Sequence, residues 1–311
     1  MELTTQPLAE NFGLEVLDVN LADIDDATFE AVRALWQKEP LILFRRQNPT
    51  NEEFIEFCRR FGTLDIVIGQ NEPDEHYPEL LFISNLYLQD GSEIGGLGSG
   101  ELVWHTDQIY RDKPASGSIF YGVEMPSGIA ATSFCNMSLA YKTLPQSMKD
   151  RLEGKRAICR YSTRFPLASY ALENSSNAPR ARFNEEYFKK VEERTPEVVH
   201  DMVLEDVKTG EKTIYVSPNH TSEIEGLDEE AGRDLIDAVL DHALQDTFIY
   251  SHNWRNGDVL FWDNARLLHR RDAFDPGQPR YAKRTTIFLD PDFFLVPEPE
   301  LPLPDHLPNR D

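Results

Sequence analysis

Short β-forming runs, not strands alternating with helices, fill the chain from about residue 80 to residue 290. They are rich in Val, Ile, Phe, Tyr, Trp and Thr and are separated by turn residues, as in 117–125 (GSIFYGVEM) and 257–263 (GDVLFWD). The other predicted strands in this region are 80–88, 130–136, 156–162, 198–206, 212–217, 247–254 and 284–290. A βαβ protein would place an amphipathic helix after most of its strands. The pattern therefore predicts a mainly β fold with flanking helices, built as a barrel or jelly roll.

The predicted helices lie mostly before this β region. The N-terminal part has the pattern strand, helix, strand and helix, at 14–19, 27–38, 41–44 and from residue 51. Thr50 followed by Glu53 is a capping-box sequence, which predicts where the second helix begins, and Gly62 marks its end. A further amphipathic helix over 228–244 is expected to brace the outside of the sheet.

The length of 311 residues suits one domain with insertions. We predict that this domain covers 1–296 and that 297–311, which is rich in proline and acidic residues, is a surface tail. The glycine-rich segment 91–100 and the long segment 163–196 lack clear periodicity. Long loops in compact domains are often functional, so both are candidate lids.

The formal charge of −23 argues against a nucleic-acid-binding protein, because such proteins gather Lys and Arg on one face. A local cluster of arginines could still attract a small anion. The chain has no run of apolar residues long enough to span a membrane and no signal peptide at its start, so we expect a cytoplasmic protein. Cys58, Cys135 and Cys159 are odd in number and widely spaced, which predicts buried free thiols.

The first chemistry-bearing residues are His105 and Asp107, in the run VWHTDQIY. On an extended strand, residues two apart point to the same face, so one imidazole and one carboxylate would converge on a single ion. His269, just after the predicted strand 257–263, offers a third ligand. Two histidines and a carboxylate on one face of an octahedron leave three positions open, as in oxygen-activating non-haem iron(II) sites. The spacing thus predicts an Fe(II) site that admits a bidentate 2-oxo acid and O₂.

Two arginines follow the third ligand. Arg280 lies 11 positions beyond His269 and Arg284 a further four, so a strand beginning near Arg280 would place both on one face. Guanidinium groups that enter a β-lined cavity are costly unless anions meet them. A bidentate arginine–carboxylate contact would suit the distal carboxylate of 2-oxoglutarate.

Together these residues resemble the taurine/2-oxoglutarate dioxygenase family, TauD/TfdA. The matching pieces are W-H-T-D at 104–107, Thr132, G-D-V-L-F-W-D-N at 257–264, His269 and the Arg280/Arg284 pair. The resemblance extends from about residue 13 to residue 290. It implies a double-stranded β-helix (jelly-roll) core and an oxidoreductase, an Fe(II)- and 2-oxoglutarate-dependent dioxygenase that releases succinate and CO₂. It also implies a homo-oligomer, either a dimer or a tetramer.

Carried over by position, the resemblance implies that His105, Asp107 and His269 hold the iron and are the catalytic centre. It implies that Thr132 and Arg280 hold the distal carboxylate of 2-oxoglutarate. For Arg284 two roles stay open, because the matching arginine of the family meets either the substrate anion or the iron-bound end of 2-oxoglutarate.

Two further substrate-binding candidates carry simpler explanations. Trp104 matches the family pattern, but a bulky residue beside a strand needs no function. Asn85 could reach the substrate from the run before the glycine-rich segment, and a role in a turn explains it equally well.

The sequence departs from the taurine enzyme near the substrate. Where the resemblance would place the His and Tyr that grip the sulfonate of taurine, this chain has Val67 and Gln70. The segment leading to His105 is also longer, with the insertion SEIGGLGSG as a flexible rim over the iron. We therefore expect a small anionic substrate, most simply a carboxylate and not taurine. The carboxylate of Asp107 indicates hydroxylation, or a related C–H oxidation such as desaturation or ring closure, and not halogenation.

Two other classes of protein could present two histidines and a carboxylate. One is a metal-dependent hydrolase or cupin-like metal-binding protein, and the other is a binding module without turnover. Neither needs the arginine pair at its observed spacing. Iron- and O₂-dependent formation of succinate from 2-oxoglutarate would separate the oxygenase from both.

Overall fold

The computed structural model describes residues 2–66, 74–161, 166–171, 189, 193 and 195–297. Within these residues the strands are β1 (Thr5–Pro7), β2 (Leu14–Val16), β3 (Leu41–Phe44), β4 (Gly62–Leu64), β5 (Leu81–Ser84), β6 (Leu102–His105), β7 (Gly117–Glu124), β8 (Thr132–Asn136), β9 (Arg156–Cys159), β10 (Val198–Asp201), β11 (Val203–Glu205), β12 (Lys212–Ile214), β13 (Thr221–Ile224), β14 (Ile249–His252), β15 (Val259–Asp263), β16 (Leu267–Arg271) and β17 (Tyr281–Leu289). The α-helices are α1 (Asp26–Lys38), α2 (Asn51–Arg59), α3 (Met137–Thr143), α4 (Gln146–Leu152) and α5 (Glu229–Ala243).

Two sheets form the core. The larger has the order β1-β2-β3-β15-β7-β17-β4, with β5 also paired to β17, and the smaller has the order β14-β8-β16-β6. Among the described residues, paired strands in both sheets are antiparallel apart from β2 with β3. Side chains of both sheets share one apolar cluster, to which β7 gives Phe120, β15 gives Trp262 and β8 gives Phe134. This arrangement confirms the predicted mainly β, jelly-roll fold with flanking helices.

The capping box at α2 is present with both of its hydrogen bonds. The backbone N–H of Glu53 donates to the Thr50 hydroxyl at 3.2 Å, and the Glu53 carboxylate accepts from the Thr50 N–H at 2.8 Å. These bonds satisfy two donors that the first turn of a helix leaves free. On α1, Val32 and Trp36 are fully buried, as the apolar spacing of that helix predicts.

Several predicted β runs form strands outside the two core sheets. Strand β9 pairs with β10 and β13 in a three-stranded sheet, and β11 and β12 form a separate hairpin. Their apolar side chains join the cluster that also takes the buried face of α5. Propensity and alternation predict that a run is a strand, but its pairing partner depends on contacts distant in sequence.

The glycine-rich segment 91–100 is attached to the larger sheet. Gly96 donates a backbone hydrogen bond to Phe82 and accepts one from Ser84, at 3.1 and 3.2 Å. A Cβ on Gly95 would lie 2.3 Å from the carbonyl oxygen of Phe82, so close backbone approach explains that glycine. Its role as a lid stays a prediction.

Some predictions fall wholly or partly outside the described residues. They concern the candidate lid 163–196, of which only 166–171, 189, 193, 195 and 196 are described, and the tail 297–311 beyond its first residue. Across the part of the chain that the structure covers, no helix is both long and apolar enough to cross a membrane. The three cysteines are free and buried, as predicted.

Candidate metal centre

Three side chains that the sequence analysis selected meet at one point between the two core sheets. The candidate ligand atoms of His105, Asp107 and His269 all lie within 4.8 Å of one another. The nearest oxygens of Asp107 lie 3.8 Å from Nε2 of each histidine. One ion could therefore touch all three groups, and imidazole with carboxylate is a donor set that suits Fe(II).

Strand pairing brings the two histidines together. His105 ends β6 and lies directly opposite His269 of β16, with their ring centroids 4.2 Å apart. The Nδ1–H of His105 donates to the carbonyl oxygen of Val103 at 2.7 Å, so in the neutral ring Nε2 is free to bind an ion. Burial, together with the nearby His105, lowers the pKa of His269 to about 3. A neutral imidazole is the form that binds metal.

Asp107 reaches the centre from a turn. The prediction that His105 and Asp107 share one extended strand is wrong, because β6 ends at His105. Gln108 adopts a left-handed backbone conformation with a φ of 59°. Its side chain is anchored at both ends, donating to Asp65 at 2.7 Å and accepting from the N–H of Ala115 at 3.0 Å. Such anchoring offsets the cost of left-handed backbone at a residue other than glycine.

Arg284 and Ser118 bind Asp107 from the larger sheet. One terminal nitrogen of Arg284 lies 3.0 and 3.3 Å from the two carboxylate oxygens, and the Ser118 hydroxyl lies 3.3 Å from one of them. Burial opposes ionisation of Asp107, but Arg284, His269 and His105 outweigh it and lower the pKa of this carboxyl well below its usual range. Nε of Arg284 is buried and has no hydrogen-bond partner among the described residues.

A second cationic region lies beside this centre. Arg280, which immediately precedes β17, is 2% exposed, and its guanidinium lies 5.5 Å from the ring of Phe120. Its Nε and one terminal nitrogen lack partners within the described parts of the chain. Burial, with repulsion from Arg271, lowers the pKa of Arg280 to about 9, which still leaves it charged at neutral pH. An unpaired buried cation indicates an anion site.

Thr132 is the first residue of β8, next to the last residue of β16 in the smaller sheet. Its hydroxyl accepts a hydrogen bond of 2.9 Å from Nε1 of Trp254, so its own proton is left for another acceptor. In the antiparallel register Thr132 lies directly opposite Arg271. Arg271 in turn lies near Arg280, because both guanidinium groups approach the ring of Phe274, at 5.4 and 5.9 Å.

The two other substrate-binding candidates make structural contacts. Trp104 is 4% exposed and packs in an apolar core cluster with Cys135 and Leu268, so its ring contributes to packing. The Asn85 amide donates to the carbonyl oxygens of Pro276 and Gln278, and its oxygen accepts from the N–H of Arg280. Asn85 therefore fixes the loop before Arg280, and a contact of either residue with the substrate stays a prediction.

Sequence reasoning assigned no function to three residues near the centre: Ser118, Arg271 and Asn264, which donates to Ser118 and was noted only within the matching run 257–264. Arg271 lies two positions beyond His269 and shares its face of β16, but 267–271 was not predicted to be a strand. Ser118 is identified by its contact with Asp107, and Asn264 by its contact with Ser118 on the neighbouring strand of the larger sheet. Val67 and Gln70, on which the comparison with the taurine enzyme's sulfonate site was based, lie outside the described residues.

Comparisons with known proteins agree with this geometry. Residues 4–286 match the family described as "Taurine catabolism dioxygenase TauD, TfdA family". The chain is 30% identical over 300 residues to an α-ketoglutarate-dependent 2,4-dichlorophenoxyacetate dioxygenase of Cupriavidus pinatubonensis, covering 93% of this chain and 99% of that protein. It is also 30% identical to an (S)-phenoxypropionate/α-ketoglutarate dioxygenase of Sphingobium herbicidovorans, and the match covers 92% of this chain and 94% of that protein. The solved structure of a taurine dioxygenase from Burkholderia xenovorans superimposes on this chain with a TM-score of 0.74 at 25% sequence identity. The match covers 97% of this chain and 96% of that one.

Proposed function

This chain belongs to the TauD/TfdA family of 2-oxoglutarate-dependent dioxygenases, and from that premise we propose that it hydroxylates a C–H bond of a small carboxylate substrate. As a member of this family it uses Fe(II), 2-oxoglutarate and O₂. When bound, the iron would supply the chemistry by which O₂ acts as the oxidant, with one oxygen atom entering succinate as 2-oxoglutarate loses CO₂ and the other left for the substrate. The protein's own residues bind, orient and keep the reacting groups away from bulk water.

In this proposal His105, Asp107 and His269 hold the iron. Arg284 keeps Asp107 ionised and fixes the direction of its carboxylate, and Ser118 supports the same orientation through its contact of 3.3 Å. Such contacts to a ligand are typical of metal sites and set both the geometry and the affinity. Thr132 and Arg280 hold the distal carboxylate of 2-oxoglutarate, as the unpaired buried nitrogens of Arg280 support.

An excess of positive charge at the site carries the proposal of an anionic substrate. Arg271, Arg280 and Arg284 are buried or nearly so, whereas Asp107 is the acid that meets Arg284. Iron adds two positive charges and 2-oxoglutarate two negative ones, so the loaded site stays cationic in a chain whose formal charge is −23. The unpaired Nε of Arg284 beside the metal ligand is the natural contact for a substrate carboxylate. The names of the two phenoxyalkanoate relatives agree with this class of substrate.

We expect carboxylates to be turned over far better than their uncharged counterparts. A panel of small aryloxy, aryl, alkyl and amino carboxylic acids would be assayed beside the corresponding primary amides, with succinate formation as the readout. Losing one charge from a desolvated ion pair costs about 2 to 5 kcal/mol, so kcat/KM for an amide should fall on the order of 100-fold. Taurine is not expected to stimulate succinate formation.

Arg284→Gln is the matched variant for this experiment, because it keeps N–H donors for Asp107 and removes the charge. Iron content would be measured first, so that loss of metal is not mistaken for loss of substrate. With iron retained, the preference of the variant for the acid over the amide should shrink at least about tenfold. An unchanged preference, or equal turnover of acids and amides by the wild type, would count against the anionic substrate.

A further inference from the structure

The environment of Arg271 on β16 differs from that of an ordinary structural arginine. Arg271 lies two residues beyond His269, so the period of a strand points both side chains to the same face, roughly 7 Å apart along the strand. On the neighbouring strand it faces Thr132 directly. Cβ atoms of such cross-strand partners lie about 5 Å apart. Its side chain therefore starts beside both the candidate metal ligand and the threonine proposed to hold the co-substrate.

Arg271 is 3% exposed and has no counter-ion in the part of the chain that the structure describes. Its Nε and one terminal nitrogen have no hydrogen-bond partner among the described residues, and no ion pair is found for it there. The other terminal nitrogen donates to the carbonyl oxygen of Gly100. Its guanidinium lies 5.4 Å from the ring of Phe274, which Arg280 also approaches, at 5.9 Å. Two buried guanidinium groups thus share one aromatic neighbour.

Arg266, on the turn that leads into β16, shows what a structural arginine looks like in this fold. It is similarly buried, but its Nε lies 2.8 Å from the carboxylate of Asp263 and a terminal nitrogen donates to the carbonyl oxygen of Trp36 at 2.9 Å. Arg271 has neither an acid nor a comparable set of carbonyl partners. Burying a charge without them is unfavourable, which indicates that an anion completes the site.

We propose that Arg271 is a second guanidinium ligand for the distal carboxylate of 2-oxoglutarate, beside Arg280 and Thr132. This inference rests on the proposed function of the same pocket. A carboxylate has enough lone pairs to accept from two guanidinium groups and one hydroxyl at once. Arg271 would then select co-substrates that carry a carboxylate at the far end.

The bond from Arg271 to Gly100 links this pocket to the segment 91–100. That segment is held on its other side by Gly96 against β5, and Ser99 accepts from the N–H of Phe274 at 3.0 Å. Binding of a carboxylate would fix the guanidinium and so strengthen its contact with Gly100. We therefore expect co-substrate binding to slow amide hydrogen exchange in 91–100, and this effect to require Arg271.

The test compares Arg271→Met with Arg270→Met in anaerobic titrations of the Fe(II)-loaded proteins. Arg270 is the matched control, because it alternates to the other face of β16, where it lies over Trp104 at 5.2 Å and is 35% exposed. Each protein is titrated with 2-oxoglutarate and with 2-oxopentanoate, which lacks the distal carboxylate. For Arg271→Met we expect roughly 10- to 100-fold weaker binding of 2-oxoglutarate, unchanged binding of 2-oxopentanoate, and an apo protein at least as heat-stable as the wild type.

The outcomes separate this inference from the proposed function. If the wild type does not bind 2-oxoglutarate, the proposed function fails and this inference fails with it. If the wild type binds 2-oxoglutarate and Arg271→Met binds it equally well, Arg271 is not a ligand. A lower unfolding temperature of apo Arg271→Met with equal weakening for both 2-oxo acids would show a structural role and overturn the inference. Slower exchange in 91–100 on binding to wild type, but not to Arg271→Met, would support the link to Gly100.

Discussion

Replacing Asp107 with alanine is expected to abolish iron retention and turnover while the β fold survives. Among the residues that the structure describes, Asp107 is the one carboxylate within reach of the two imidazoles, so its removal leaves too few ligands for a stable Fe(II) site. It also leaves Arg284 without its partner at 3.0 Å, so an uncompensated cation would repel the metal. Iron content after anaerobic gel filtration and succinate formation are the measurements, with circular dichroism as the check on folding.

Asp272→Ala is the control for this change. Asp272 lies three residues beyond His269, but its side chain is 48% exposed and lies 3.7 Å from Arg270. Its removal should leave iron content and turnover as in the wild type. An Asp107→Ala protein that kept stoichiometric iron and normal turnover would falsify the ligand assignment.

The fold could be predicted largely because local signals and the final structure agree. The run 41–44 is a strand with the predicted bounds, and the capping box at Thr50 marks the beginning of α2. The prediction for α5 over 228–244 differs from the observed helix by the two capping residues alone. Helices α3 and α4 were missed, because seven residues each give too little periodicity to detect.

The candidate site was predictable where ligands lie on paired strands and less so where they lie on turns. His105 and His269 were selected from spacing, and their direct pairing across β6 and β16 explains why they meet. Asp107 was selected for the wrong local reason, because the left-handed turn at Gln108 depends on anchoring to Asp65, distant in sequence. Such anchoring is visible only in contacts between segments distant in sequence. The hydrogen bond from the N–H of Arg280 to the Asn85 side chain is another contact of this kind.

Replacing Arg280 with methionine is expected to weaken binding of 2-oxoglutarate by about 3 to 5 kcal/mol, the scale of removing one partner from a buried charge pair. That loss corresponds to an increase in Kd of at least roughly 100-fold. The methionine preserves most of the apolar stem of the side chain and removes the guanidinium, which lies 5.5 Å from the ring of Phe120, so the loss reports on the charge. Anaerobic titration of the absorption band formed between Fe(II) and the 2-oxo acid measures the affinity directly.

Lys283→Met provides the control on the same strand. Lys283 is a half-buried cation whose nitrogen lies 5.6 Å from the ring of Tyr121, and its side chain does not share the buried pocket of Arg280. This variant should bind 2-oxoglutarate as the wild type does, which separates loss of a specific contact from loss of charge in general. If instead Arg280→Met bound 2-oxoglutarate normally while retaining iron, Arg280 would not be the anchor of the distal carboxylate. Arg271, equally buried and also unpaired, would then have to supply that contact alone, and its own methionine variant would show the larger loss.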